Sequence, residues 1–304
     1  NSPIEQLIGF VQNLQSAKIS LERLNEIHQL EDEEPANKNL LQELPRNFQI
    51  QLAGGKGPAS DLVFENTFFT YPGAGNEPVL KNINLTIPKS KTTAIVGVSG
   101  SGKTTLLKLL LKFYAPEKGD IILDGTSISN ISHTTWRKNC GVVMQESFIF
   151  SDTIAKNIAV SADKINIPRL NHAVHVANAT EFINSLPLGF NTRIGAEGTG
   201  ISMGQRQRIL IARAVYRDPE FIFFDEATNS LDANNESQIL QNLQSFFQGK
   251  TVVVVAHRLS TVKNADQIVL LHKGMISEKG THQELVNLKG DYFTLVKNQL
   301  ELGD

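Results

Sequence analysis

One stretch constrains this chain more than any other. It is 97-GVSGSGKT-104, set between the apolar run 93-TAIVGV-98 and the helical pattern 104-TTLLKLLLKFY-114. The spacing is G-x-x-x-x-G-K-[ST]. A short strand that turns through glycines straight into a helix leaves successive backbone N–H groups facing one concavity. The helix N-terminus adds a favourable dipole, so the concavity suits phosphate. Gly97, Ser99, Gly100, Ser101, Gly102, Lys103, Thr104 and Thr105 are the residues expected at the nucleotide. In this motif the lysine reaches the β- and γ-phosphates, and the hydroxyl after it ligates Mg²⁺.

The surroundings fit that loop. Strand-like runs recur at 61-DLVFENTFF-69, 83-INLTI-87, 120-DIILD-124, 221-FIFFD-225, 251-TVVVVAH-257 and 267-QIVLLH-272. Helical patterns lie between, at 205-QRQRILIARAVYR-217 and 235-NESQILQNLQSFF-247. Apolar strands alternating with helices predict a parallel sheet covered on both faces. The stretch from about 146 to 218 is richer in helix and reads as an inserted helical subdomain.

Ligands of open α/β sheets bind outside the carboxyl ends of the strands. Asp225 and Glu226 stand at such an end, in 221-FIFFDE-226. Asp225 is placed to hold Mg²⁺, and Glu226 to act as base or orienting group for an attacking water. His257 ends a strand of the same sheet; it is either a structural residue or a γ-phosphate contact, and its place favours the contact. Gln145, after 141-GVVM-144, either caps a strand or offers its amide to metal or water. Tyr71, in 70-TYPG-73, is either a turn aromatic or a stacking surface for a base. Ser202 and Gln205 have the spacing of a capping box. Ser202 is then the N-cap, Met203 the first helical residue and Gly204 the second. The amides there, with the Ser202 hydroxyl, form a further anion site. Nothing in the chain shows how that site would reach the nucleotide at Lys103; a second subunit would supply the reach.

Composition narrows the partners. The formal net charge of −2 gives no broad basic surface for nucleic acid. The single cysteine, Cys140, excludes an internal disulfide and is expected to be packed. No apolar run approaches the roughly 18 residues of a membrane span, and no secretory leader pattern is present. The chain begins at Asn1, so it is expected to be part of something longer. Residues 4–30 carry Ile4, Leu7, Ile8, Val11, Leu14, Leu21, Leu24 and Ile27 at near-helical spacing. That helix either packs on the main domain or is the tail of an upstream one. The acidic 31-EDEEP-35 should stop it, and 35–60 reads as a linker.

Together 71-YP, 97-GVSGSGKTT, Gln145, 201-ISMGQRQR, 221-FIFFDEATNSLD and His257 closely resemble the nucleotide-binding domain of ABC transporters, over about residues 61 to 290. The resemblance implies an α/β fold. A P-loop NTPase core with a mostly parallel sheet carries an antiparallel β subdomain and the inserted helical subdomain. It implies that Tyr71 stacks on adenine and that Gln145 joins the metal site to the helical subdomain. Ile201–Gln205 is the signature loop, Asp232 lies in the D-loop 229-NSLD-232, and Glu197 in 195-GAEG-198 faces the membrane domain. The family works as a head-to-tail homodimer around two ATP–Mg²⁺, with Ser202, Gly204 and Gln205 acting on the partner's nucleotide. The usual signature is L-S-G-G-Q; here Ile201 and Met203 depart from it. The serine, second glycine and glutamine that the capping argument requires remain.

Residues 1–34 then become a cytoplasmic extension of a membrane domain, and 61–304 the ATPase domain. The segments 17-AKISLERLNEI-27 and 148-FIFSDTIAKNI-158 look most like bacterial peptide or bacteriocin exporters, some of which carry a fused protease. Such a protein sits at the cytoplasmic face of the bacterial inner membrane, and its exported peptide touches parts outside this chain. Two other functions compete. One is an ABC-type ATPase acting on nucleic acid or ribosomes; the absence of long heptad repeats between Lys103 and Asp225, the single domain and the weak net charge count against it. The other is a nucleotide-gated switch without turnover, for which only Met203 gives grounds.

Overall fold

The computed structural model describes residues 2–30, 32–34, 39–45, 61–160, 162, 164–196, 198, 200–227, 233–256 and 262–301. The chain divides into two units, Asn1–Asn39 and Leu40–Asp304. The first holds helix α1, Ser2–His28. Its apolar residues Leu7, Leu14, Leu21 and Leu24 are all exposed. No described helix is long and apolar enough to cross a membrane.

The second unit is built on sheets. Strands β1 (Leu62–Phe69), β2 (Leu80–Ile87), β4 (Lys118–Leu123) and β5 (Thr126–Ser127) form an antiparallel sheet in the order β2-β1-β4-β5. The larger sheet has the order β12-β11-β3-β10-β9-β6. It is made of β3 (Thr92–Val96), β6 (Cys140–Val143), β9 (Phe221–Asp225), β10 (Thr251–Val255), β11 (Gln267–His272) and β12 (Met275–Gly280). Every pair in it is parallel except β11 with β12. Side chains alternate across a strand, and here both faces are buried. Ile222, Phe224, Val252 and Val254 pack into one core with the helical subdomain. Phe221, Phe223, Val253 and Val255 pack into the other, with Ile95, Leu107 and Trp136. Burial on both faces explains why these strands read as unbroken apolar runs.

Helix α2 (Lys103–Leu110) follows the phosphate loop directly. Helix α3 (His133–Lys138) is N-capped by Ser132 and carries Trp136, which is fully buried. The indole Nε1 donates to the Leu110 carbonyl at 2.7 Å, so one hydrogen bond inside the core fixes the end of α2. The helical subdomain contains α4 (Ile154–Ile158), α5 (Ile167–Val176), α6 (Thr180–Asn184) and α7 (Met203–Tyr216), with a small hairpin of β7 (Asp152–Thr153) and β8 (Arg193–Ile194). Helix α8 (Ala233–Phe247) leads back to β10, and α9 (His282–Leu288) and α10 (Asp291–Glu301) close the chain.

Four details differ from the sequence reading. The run before Gln145, where the sequence leaves a strand as one alternative, is sheet strand β6, and it starts at Cys140 and ends at Val143, not Met144. Strand β12 is antiparallel and half-exposed at the edge, so it lacks the apolar run of the buried strands. The helix after the phosphate loop stops at Leu110, because Lys112 takes up a left-handed φ of 58°. Residues 35–60 are not wholly a linker. Leu41 bridges Ile131, with Leu41 N donating to the Asn130 carbonyl and Ser132 N to the Leu41 carbonyl. The Thr135 hydroxyl donates to the Gln42 carbonyl at 2.9 Å.

Trp136→Phe keeps the apolar bulk but orphans the Leu110 carbonyl. A loss of about 1–3 kcal/mol is expected, measured by urea unfolding followed by circular dichroism.

Candidate functional site

The parallel register brings the strand ends together. Val255 lies beside Ile95 on one side and Asp225 on the other, and Val143 beside Phe224. The phosphate loop, Gln145, Asp225 and Glu226 therefore emerge at one edge of the sheet, the carboxyl edge where ligands bind.

The phosphate loop is held by close packing. A Cβ on Gly97 would lie 2.3 Å from the Leu271 carbonyl oxygen and 2.7 Å from Ser101 Oγ. Gly102, at φ 104°, is the N-cap of α2, and a Cβ there would meet Leu80 at 2.7 Å. Lys103 is buried and folds back on its own loop, donating to the carbonyls of Gly97 (2.8 Å) and Val98 (3.0 Å). Burial pulls its ammonium below the ordinary lysine value, opposed by Glu226 and then Asp225. Ser101 Oγ is buried with no hydrogen-bond partner among the described residues. Ser99 and Gly100 are exposed at the tip, Thr104 is half-buried, and Thr105 is buried inside the first turn.

Asp225 is fully buried; among the described residues neither carboxylate oxygen is held in a well-formed hydrogen bond, and the Thr104 hydroxyl lies close by. Burial raises its pKa. The Thr104 hydroxyl opposes that shift, Glu226 adds to it, and Lys103 and Lys108 pull it back. Burying a carboxylate is costly, and the charges of Glu226, Lys103 and Lys108 all act on this one. Glu226 follows in the left-handed region at φ 52°, with its N–H donating to the Val255 carbonyl at 3.0 Å. That backbone turn ends β9.

Tyr71 is half-buried. Its hydroxyl lies 3.0 Å from Thr105 Oγ1, Phe69 and Tyr114 meet its ring at steep angles, and Lys108 stands 5.7 Å from its centroid. Gln145 is exposed, one residue into the turn where Ser147 Oγ accepts from Met144 N and donates to the Met144 carbonyl. His257, Asp232 and Glu197 lie outside the described residues.

The capping box is present as the spacing requires. Ser202 Oγ accepts from Gln205 N at 3.2 Å, and Gln205 Oε1 accepts from Ser202 N at 3.0 Å. Met203 is the first helical residue, and its side chain points to solvent, 63% exposed. The Gln205 amide is thus used in holding the helix start, while Ser202 itself is exposed and Gly204 half-buried.

Sequence reasoning missed the residues that tie this helix to the Gln145 segment. A guanidinium nitrogen of Arg206 donates to the Ser147 carbonyl. Two turns on, Arg213 donates to the carbonyls of Phe148 (2.9 Å) and Asn157 (2.8 Å). Burial pushes its pKa down to about 10, helped by the like charge of Arg206. Asn157, fully buried, exchanges hydrogen bonds with the backbone of Phe150 and receives one from Arg213. Arginines seven apart on one helix were the available signal; Asn157 had none. Cys140 is buried and its thiol is pushed far up by burial, despite Arg217 and Arg137.

Comparison with known proteins places the fold in a family. The family model described as ABC transporter matches residues 80–229. The alpha-hemolysin translocation ATP-binding protein HlyB of Escherichia coli O157:H7 is 39% identical, over 96% of this chain and 39% of its own length. The leukotoxin translocation ATP-binding protein LktB of Mannheimia glucosida is 40% identical, over 98% of this chain and 40% of its own. The ABC transporter B family member 14 of Arabidopsis thaliana is 46% identical over 78% of this chain and 19% of its own. A bacterial Atm1-family ABC exporter with ATP bound superposes with a TM-score of 0.81 at 31% identity, over 94% of this chain and 47% of that one. The chain spans two fifths or less of the length of the three sequence relatives and just under half of the exporter chain of known structure.

The raised pKa of Asp225 has a thermodynamic consequence. Stability contributed by a carboxyl with a raised folded pKa is present below its ordinary value and lost as pH rises through the raised one. Asp225→Asn should therefore make the nucleotide-free chain harder to unfold at about pH 7, and this advantage should shrink towards about pH 4. Thermal unfolding across that range measures it.

Proposed function

The chain carries an ABC transporter ATP-binding domain, and from that premise we propose that it hydrolyses ATP with Mg²⁺ to power an exporter. The observation that carries the reading is the buried carboxylate of Asp225, without a well-formed hydrogen bond among the described residues and set beside the phosphate-loop residues Lys103 and Thr104. An orphaned carboxylate with a hydroxyl close by suits a hard divalent cation with oxygen ligands. Asp225, Thr104 and the Gln145 amide are the groups to hold it. Bound there, the cation neutralises charge between the phosphates.

The protein groups divide the remaining work. Lys103 leaves the Gly97 and Val98 carbonyls for the β- and γ-phosphate oxygens, where its charge meets developing negative charge. Gly97–Gly102 wraps backbone N–H groups around the same phosphates. Glu226 orients water in line and accepts its proton, and His257 reaches the γ-phosphate. Tyr71 presents its ring to adenine; its hydroxyl bond to Thr105 sets that ring against the helix carrying Lys103 and Thr104. Ser202, Gly204 and Gln205, with Asp232 nearby, complete the site from a second copy in a head-to-tail homodimer. Met203 leaves this intact, since a first helical residue needs only ordinary φ and ψ.

In the assembled protein the domain pairs with a transmembrane domain and works at the cytoplasmic face of the bacterial inner membrane. The exported cargo is a peptide or protein. Similarity to the two translocation ATP-binding proteins over nearly the whole chain supports this. No nucleic-acid partner is proposed.

Turnover per molecule should rise with protein concentration, since each site needs two chains. Concentration-independent turnover by a monomer on a sizing column would refute the composite site. Glu226→Gln should lower turnover on the order of 100-fold or more while ATP still binds. Gly204→Asp should abolish turnover by setting a fixed negative charge against the γ-phosphate. Met203→Gly should change it by less than about tenfold. Steady-state phosphate release checks all three.

A further inference from the structure

Met203 is the one residue of the 202–205 turn whose side chain no described cap or contact uses, Gly204 having none, and it is chemically distinctive. It stands where the signature pattern has glycine, and its side chain is 63% exposed. The chain has three methionines. Met144 is half-buried against the second core, and Met275, 50% exposed, lies on β12 after the hairpin turn. The most accessible thioether in the chain thus sits at the start of α7, beside the Ser202–Gln205 capping box.

Two physical facts give that position consequences. First, the amides of Met203 and Gly204 precede the first intrahelical acceptor, so the helix itself leaves them unused; in the proposed function they are donors for a phosphate. Second, Val98 in the phosphate loop is also exposed and apolar. In the head-to-tail dimer the loop bearing Val98 faces the partner's loop bearing Met203, and closure takes both side chains out of water. A thioether tolerates that environment. A sulfoxide does not: its strongly polar S=O must be desolvated, or must turn back and accept from the very amides the nucleotide requires.

We infer that Met203 is a site of reversible oxidation, by peroxides, that shuts off the signature loop. This rests on the function proposed above. The step is a two-electron oxygen transfer. A sulfur lone pair attacks one peroxide oxygen, the S–O bond forms as the O–O bond breaks, and the other oxygen leaves as hydroxide and is protonated to water. Sulfur is oxidised and the peroxide reduced. A methionine sulfoxide reductase reverses the change. ATP protects the side chain, because the closed dimer covers it.

The test treats the whole chain with limited hydrogen peroxide, with and without Mg²⁺–ATP, then reads three quantities. They are oxygen uptake by peptide mass, ATP-dependent dimerisation by light scattering, and turnover relative to each protein's own untreated rate. The peptide containing Met203 should gain one oxygen before that containing Met275, and less readily with ATP. Turnover should fall at least about fivefold, the equivalent of one lost hydrogen bond. ATP-dependent dimerisation should weaken in step, and a methionine sulfoxide reductase should restore both. Met203→Leu should keep its own rate through the treatment, whereas Met275→Leu should remain sensitive. Oxidation of Met203 without loss of turnover or dimerisation, or equal loss in Met203→Leu, would overturn the inference alone. An untreated chain that neither turns over nor dimerises with ATP would overturn the function beneath it.

Discussion

The chemistry of this chain depends on strands that end in step. Parallel pairing of β3 with β10 and of β10 with β9 places Ile95, Val255 and Asp225 side by side. A slip of one residue would turn Phe224 and Val254 to the opposite face and Phe223 and Val255 with them. Because the two faces feed separate cores, such a slip would give each core the side chains shaped for the other. The packing that holds the sheet therefore also fixes the distance between the lysine of one loop and the carboxylates of another. No contact between the functional groups is needed to align them.

Much of this was legible in advance, and for a definable reason. The phosphate loop is a local device: strand, glycines, lysine and helix are contiguous, so sequence spacing is already geometry. The same holds for Ser202 and Gln205, whose capping box closes within one turn. The buried strands announced themselves because both of their faces are dry. What escaped notice was relational. Met275–Gly280 pairs at an edge and needs no apolar pattern. Leu41 and Gln42 bond to residues some ninety positions away, and neither side chain makes those bonds. Arg206 and Arg213 use backbone carbonyls as acceptors, which leave no trace in sequence.

Those arginine contacts change the description of the helical subdomain. The signature helix and the segment after Gln145 are not merely neighbours. Arg206 holds Ser147, Arg213 holds Phe148, and Asn157 holds Phe150. The turn that places Gln145 is therefore cross-linked by hydrogen bonds to the helix that starts at Ser202. A displacement of one is imposed on the other, at the cost of breaking several charge-assisted bonds if it is not.

The backbone of Glu226 has a consequence of another kind. A glutamate in the left-handed region costs about 1–2 kcal/mol relative to a relaxed conformation, and Asp225 beside it is a buried carboxylate without a well-formed hydrogen bond among the described residues. Both residues sit uncomfortably, and both are the ones proposed to do the chemistry. Replacing Glu226 with glycine or asparagine relieves the turn, and neutralising Asp225 relieves the core. Lineages descending from such a domain thus meet an uneven landscape. Copies freed from the need to turn over ATP drift downhill towards sturdier, silent forms, while working copies are kept strained only by continued selection for work. Where duplicated domains of this kind diverge, the decayed partner should be the more robust of the two.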